Sequence, residues 1–174
     1  MTGRDRDWVF TGRARVFADD DINTDQIMPR RGFELPPEEQ SALVLDSIRP
    51  GWAATVRSGD ILVAGRRFGC GSSRPAPLVL ARTGIAAVVA ESLGDIFLRN
   101  AVAYAVPVLE APGVLGAVSE GDELDVDIAR GAVTNLTTGS AVSATPLPPM
   151  LLDTIAAGGV HALLRRDGYL APIG

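Results

Sequence analysis

The sequence predicts an α/β fold in which a parallel strand–helix unit is followed by an antiparallel meander, and three observations predict it. Short unbroken apolar runs, Ile61-Leu62-Val63-Ala64 and Ile85-Ala86-Ala87-Val88-Val89-Ala90, alternate with helix-period segments, the signature of strands covered on both faces. From Gly121 onward the period changes to two, as Leu124-Asp125-Val126-Asp127-Ile128, with turn pairs at Arg130-Gly131 and Thr138-Gly139. A chain of 174 residues that is 47% hydrophobic and 21% charged has the length and composition of one domain with a full core.

Taken in order, Thr11 to Phe17 reads as a first strand that runs into the acidic turn Asp19-Asp20-Asp21. Asn23-Thr24-Asp25 follows as a polar turn; the absence of a sharp-turn glycine and a closing glutamate excludes an EF-hand calcium loop. Pro37 fits the first turn of a helix expected to reach about Ser47, and Gly59-Asp60 introduces the strand Ile61 to Ala64. A helix from about Pro75 to Arg82 stops at Gly84. Ser92 is placed to cap the next helix, and Val106 to Leu109 is a further strand, so the middle of the chain reads as right-handed βαβ crossovers. After the meander, Pro148-Pro149 opens a helix that ends at Gly158-Gly159, and Val160 to Leu164 makes a last helical turn.

The chemistry concentrates in Gly65-Arg66-Arg67-Phe68-Gly69-Cys70-Gly71-Ser72-Ser73-Arg74-Pro75, between the second strand and its helix. Glycines bring backbone close to a ligand, Ser72 or Ser73 is placed to cap the helix, and the cluster of N–H groups, hydroxyls and one arginine fork suits a carboxylate. The bland alternative is a capped helix with a structural ion pair at Arg74. No histidine lies near the serines in the sequence, the sole histidine being His161, which argues against a serine-hydrolase triad.

Other classes fall away on composition. A net charge of −5 argues against a general nucleic-acid binder, which needs a basic face. One cysteine, Cys70, makes neither an internal disulfide nor a cluster site and reads as a packing residue beside the loop. Met1 to Val9 is charged rather than signal-like, and no segment has the ~18 apolar residues of a membrane helix, so the expected location is cytoplasmic.

Phe68-Gly69-Cys70-Gly71-Ser72-Ser73-Arg74, with Asp21-Ile22-Asn23-Thr24-Asp25-Gln26-Ile27-Met28-Pro29 upstream and Ala90 to Asn100 downstream, resembles the aconitase superfamily. Within it the chain is most similar to the 3-isopropylmalate dehydratase small subunits, from about Gly12 to about Arg166. The resemblance implies a single swivelling β/β/α domain of the aconitase C-terminal type over residues 1–174, core about 12–166. It also implies a hydro-lyase in leucine biosynthesis, inactive without a large subunit that carries a [4Fe–4S] cluster, in a heterodimer or heterotetramer. Matched residue by residue, Ser72 is the base, and Gly71, Ser73 and Arg74 bind substrate carboxylate. The loop holding Arg30, Arg31, Phe33 and Glu34 meets the variable substrate group, where Glu34 would repel a third carboxylate.

One departure leaves the substrate open. The family usually has two residues, often Glu-His, between Ser-Ser-Arg and Ala-Pro, whereas only Pro75 stands here. Dimethylmalate, methylmalate, benzylmalate or a phosphonate analogue are therefore alternatives to isopropylmalate, and a non-catalytic anion-binding or assembly domain is the alternative from another class.

Overall fold

Strand β1 (Val9–Phe17) is the seam between two kinds of sheet. A computed structural model describes residues 8–171, and in it the two ends of β1 pair differently. Ala14 to Phe17 run parallel to β2 (Ile61–Ala64), while Val9 to Arg13 run antiparallel to β5 (Glu123–Asp127). Beyond β2 lie β3 (Ala87–Ala90) and β4 (Val108–Glu110), both parallel. Beyond β5 lie β6 (Ala132–Asn135) and β7 (Ala141–Ser143), both antiparallel. The described strands thus form one seven-stranded sheet in the order β4-β3-β2-β1-β5-β6-β7, the predicted parallel unit joined to the predicted meander.

Every residue of β2 and β3 is buried, which is why these strands read as continuous apolar runs. Alternate side chains divide between two cores. Leu62, Ala64, Val88 and Ala90 face Phe17, Trp52, Phe68 and Phe97, and Ile61, Val63, Val89 and Leu109 face Val102, Leu124, Val126 and Ile155. In β5, Leu124 and Val126 point into the second core and Glu123, Asp125 and Asp127 point outward, so one face of the meander is wet.

Helices α3 (Ala76–Arg82) and α4 (Asp95–Ala103) form the crossovers, the single turn α5 (Val114–Ala117) follows β4, and α6 (Pro149–Ala156) and α7 (Val160–Arg166) follow the meander. The stop signals behave as read: Gly84, Gly158 and Gly159 all have positive φ.

Three sequence expectations need correction. The helix expected from Pro37 to about Ser47 is a single turn, α2 (Pro37–Gln40), followed by a 3-10 turn over Ser41–Leu43. Leu45 breaks it: its φ is +56°, its side chain is fully buried, and its N–H donates to the Ile27 carbonyl at 3.3 Å, so tertiary packing overrides local propensity. Ser92 does not cap α4, whose N-cap is Gly94. The strand expected from Val106 begins at Val108.

At the start of β2 a buried charge network ties the seam down. Asp60 Oδ2 accepts from Arg15 Nη1 at 3.1 Å and Arg13 Nη2 at 3.2 Å, and Arg15 Nη1 also donates to the Thr55 carbonyl at 2.8 Å. Burial opposes ionisation of Asp60, but the Arg57 backbone N–H and the two guanidinium groups outweigh it and hold the carboxyl below its ordinary value.

Candidate functional site

The segment from Gly65 to Pro75 leaves β2 and reaches α3 as an irregular loop held from both sides. On one side Asn23 starts a one-turn helix, α1 (Thr24–Ile27), through a reciprocal capping box: Asn23 Oδ1 accepts the Gln26 N–H at 3.0 Å, and Gln26 Oε1 accepts the Asn23 N–H at 2.9 Å. The Gly69 N–H donates to the Ile22 carbonyl at 2.7 Å, and the Thr24 N–H to the Cys70 carbonyl at 2.9 Å. On the other side the Phe68 N–H donates to the Ser92 carbonyl at 3.1 Å, and the Gly94 N–H to the Phe68 carbonyl at 2.8 Å. Ser92 Oγ, free of a capping role, accepts the Arg67 N–H at 2.9 Å.

Packing completes the clamp. Phe68 and Phe97 are buried and meet edge to face at 5.4 Å, fastening the loop to α4. Gly69 has φ +76°, and a Cβ there would lie 2.2 Å from the Phe97 ring, so only glycine lets the loop turn over that ring. Gly71 has φ +116°, which turns the chain so that Ser72 comes back beside Thr24.

Ser72 is exposed at the end of this clamp. Its Oγ accepts from Arg74 Nε at 3.1 Å and lies 3.3 Å from Thr24 Oγ1, and its N–H donates to Thr24 Oγ1 at 3.2 Å. The side chain of Arg74 is 13% exposed, with Nη2 paired to Asp25 and Nη1 donating to the Met28 carbonyl at 2.9 Å. Asn100 Nδ2 reaches back to the Arg74 carbonyl at 3.3 Å, tying the loop to α4 a second time. Gly71 and Ser73 are exposed beside Ser72. Ser72 or Ser73 was expected to cap α3, and neither does; the N-cap is Pro75, with no side-chain cap, and the Ser72 hydroxyl is turned toward Thr24 and Arg74 instead.

The second predicted segment is a 3-10 turn over Arg30–Glu34, two residues beyond the Met28 carbonyl that Arg74 binds. Arg30 and Glu34 are exposed. Arg31 is paired with Asp46 at 3.0 Å with 63% of its side chain exposed, a pair that is easily exchanged for another anion. The side chain of Phe33 lies outside the described residues.

Cys70 is half-buried with Sγ 3.6 Å from the Asp21 carbonyl oxygen. Arg67 pairs with Asp21 at 2.5 Å, and that carboxylate raises the arginine's already high pKa. A shallow depression of about 230 Å³, lined by Gly69, Cys70, Gly71, Gly94, Asp95 and Ile96, adjoins the loop. A larger one, about 790 Å³, lies between α7 and residues 168–171 and includes none of these groups.

An iron–sulfur cluster does not fit this chain's own donors. The sequence contains one cysteine, and among the described residues no group of three or more His, Cys, Asp or Glu side chains could hold a metal ion. Among the described residues no helix is long and apolar enough to cross a membrane.

Thr24, Asp25 and Asn100 lie in segments that carry the family resemblance but had no individual role from sequence, and Ser92 was expected only as a helix cap. The available signal was the Asn23-to-Gln26 spacing, a capping-box pattern that turns the polar segment into a helix start beside the loop.

A strand–glycine loop–helix carrying two serines and an arginine, on a parallel sheet extended by a meander, defines an aconitase-type C-terminal domain, and residues 43–112 match the family model for the aconitase C-terminal domain. The chain is 44% identical over 162 residues to 3-isopropylmalate dehydratase small subunit 1 of Methanopyrus kandleri, covering 92% of this chain and 95% of that one. It is 39% identical to the isopropylmalate/citramalate isomerase small subunit of Methanocaldococcus jannaschii, covering 91% and 95%. The crystal structure of a 3-isopropylmalate dehydratase from Methanocaldococcus jannaschii matches with a TM-score of 0.84 at 29% identity, covering 91% of this chain and 95% of that one. The chain belongs to the 3-isopropylmalate dehydratase small-subunit family.

Proposed function

We propose that this chain is the serine-bearing half of a cytoplasmic two-subunit hydro-lyase that interconverts 2- and 3-isopropylmalate through the unsaturated di-acid, and that residues of about 12–166 move as one body over a cluster-bearing large subunit. The observation that carries the reading is the exposed Ser72 hydroxyl with the Arg74 Nε–H directed at its oxygen and the Thr24 hydroxyl beside it, on a chain of this family.

In the dehydration direction Ser72 Oγ, as alkoxide, takes the proton from the carbon beside a substrate carboxylate, and in hydration the hydroxyl returns it. A serine oxygen is a weak base in water, so its environment must favour the deprotonated form. The Arg74 Nε–H at 3.1 Å supplies a charge-assisted donor for that purpose in the arrangement already present. The backbone N–H groups of Gly71 and Ser73 and the Ser73 hydroxyl are assigned to the substrate carboxylate, while the Ser72 N–H stays on Thr24 Oγ1. Arg74 joins them only if a carboxylate displaces Asp25 from Nη2, so stabilising Ser72 is its first role and substrate clamping its second. A [4Fe–4S] cluster, held by the large subunit and by none of this chain's residues, would supply Lewis-acid polarisation of the substrate hydroxyl when bound.

A second reading keeps this chemistry and changes the substrate. It is favoured by the relative named for both isopropylmalate and citramalate and by the exposed Arg30, Arg31 and Glu34, which leave the specificity segment open to solvent. Co-expression with a cluster-bearing large subunit, followed by absorbance of the unsaturated di-acid, tests both readings. Turnover of 3-isopropylmalate supports the first, preference for another substituted malate supports the second, and a stable complex inert toward every substituted malate overturns both.

A further inference from the structure

We infer that Thr24 is a positioning residue for Ser72, one that holds its amide and stabilises its deprotonated oxygen; the inference rests on Ser72 being the base. Thr24 is a buried polar residue, 2% exposed, in the first turn of α1, and the capping box at Asn23 and the Thr24 N–H bond to the Cys70 carbonyl keep it against the loop. Its single oxygen serves both ends of Ser72. It accepts the Ser72 N–H at 3.2 Å, and it lies 3.3 Å from Ser72 Oγ.

The donor of that second contact depends on the charge state of Ser72. Between two neutral hydroxyls either oxygen donates. Once Ser72 loses its proton it has nothing to donate, and the contact survives only with Thr24 Oγ1–H as donor. Together with Arg74 Nε–H this gives the alkoxide two donors from its own chain, one neutral and one cationic. Each favours the deprotonated form over the protonated one, and both leave the outer side of Ser72 open to substrate. Gly71 belongs to the same arrangement, because a Cβ there would stand 3.1 Å from Thr24 Oγ1 and wedge the two hydroxyls apart.

The test uses the chain assembled with its cluster-bearing large subunit and 3-isopropylmalate as substrate, comparing Thr24→Val, Thr24→Ser and Ser72→Ala. Valine keeps the shape and removes the hydroxyl. The expected result is a fall in kcat of about tenfold or more with KM within about twofold, and an ascending limb of the pH–rate profile moved up by about one unit, because Ser72 then holds its proton more tightly. Thr24→Ser restores both. If Thr24→Val lowers kcat only in step with its melting temperature, leaves the pH limb in place or is not rescued by serine, Thr24 is a packing residue and the inference is overturned. If Ser72→Ala itself retains turnover within about threefold, the parent reading fails first, and the two failures are told apart by that variant.

Discussion

Gly94→Ala is the substitution that most cleanly separates loop position from backbone strain. Gly94 has φ −68° and ψ 136°, a conformation open to any residue, so alanine there meets no dihedral penalty. What it meets is the loop. The added Cβ would stand 2.9 Å from both Cα and N of Cys70 and 3.0 Å from the Gly69 carbonyl carbon, against an ordinary contact of 3.4 Å or more. These are backbone atoms, and Cys70 must retreat by roughly half an ångström, carrying Ser72 with it. Overpacking of this kind costs about 1–3 kcal/mol, which for a chain of this length lowers the melting temperature by about 2–12 °C. A displacement of that size two residues from the proposed base should cost about tenfold in kcat, given about 10²-fold for a 1 Å misplacement. The control is Gly113→Ala, where φ is +92° and nothing lies within 4 Å of the new Cβ, so about 1 kcal/mol is lost and turnover is unchanged. Calorimetry and steady-state turnover of the assembled enzyme decide it. A Gly94→Ala enzyme with wild-type melting and wild-type kcat would refute the claim that this contact positions the loop.

Two further outcomes follow from charge. Asp60→Asn removes the shared partner of Arg13 and Arg15 while Arg15 keeps Glu120 at 3.0 Å and Thr55, so a loss of about 3 kcal/mol is expected by denaturant titration at neutral pH. Because the folded-state pKa of Asp60 is depressed, its contribution is complete above about pH 4 and is lost as pH falls through the folded value; the variant should therefore show a flatter acid limb of stability than wild type. Glu34→Gln should raise kcat/KM for a tricarboxylic acid relative to a di-acid by about fivefold, the effect of about 1 kcal/mol for an exposed charge, and an unchanged ratio removes Glu34 from the specificity segment.

The architecture was legible where one local signal sufficed. Four consecutive apolar residues in β2 and β3 announce burial on both faces, and Leu124-Asp125-Val126-Asp127 announces one wet face. The pairing of β1 with both β2 and β5 was not legible, since register across 47 residues to β2 and more than a hundred to β5 depends on how the two cores fill. Leu45 shows the same limit: a good helix former, it takes positive φ because its side chain is needed in the core. At the site, the glycines and Ser72-Ser73-Arg74 stood out by composition. Thr24 and Asp25 did not, because their meaning lies in what α1 is laid against, and a short polar segment carries no sign of its neighbour. Ser72 and Ser92 read as caps because serine before a helix usually is one; here both hydroxyls bond across the loop instead.

The most direct measurement is single-turnover proton exchange at the substrate carbon beside the carboxylate, followed in heavy water with wild-type and Ser72→Ala chains assembled on the same large subunit. The account predicts that exchange and kcat fall together by about 10²-fold or more in the alanine enzyme while substrate binding and melting temperature stay near wild type. Exchange at an undiminished rate from the enzyme lacking that hydroxyl would contradict it and assign the proton to another group.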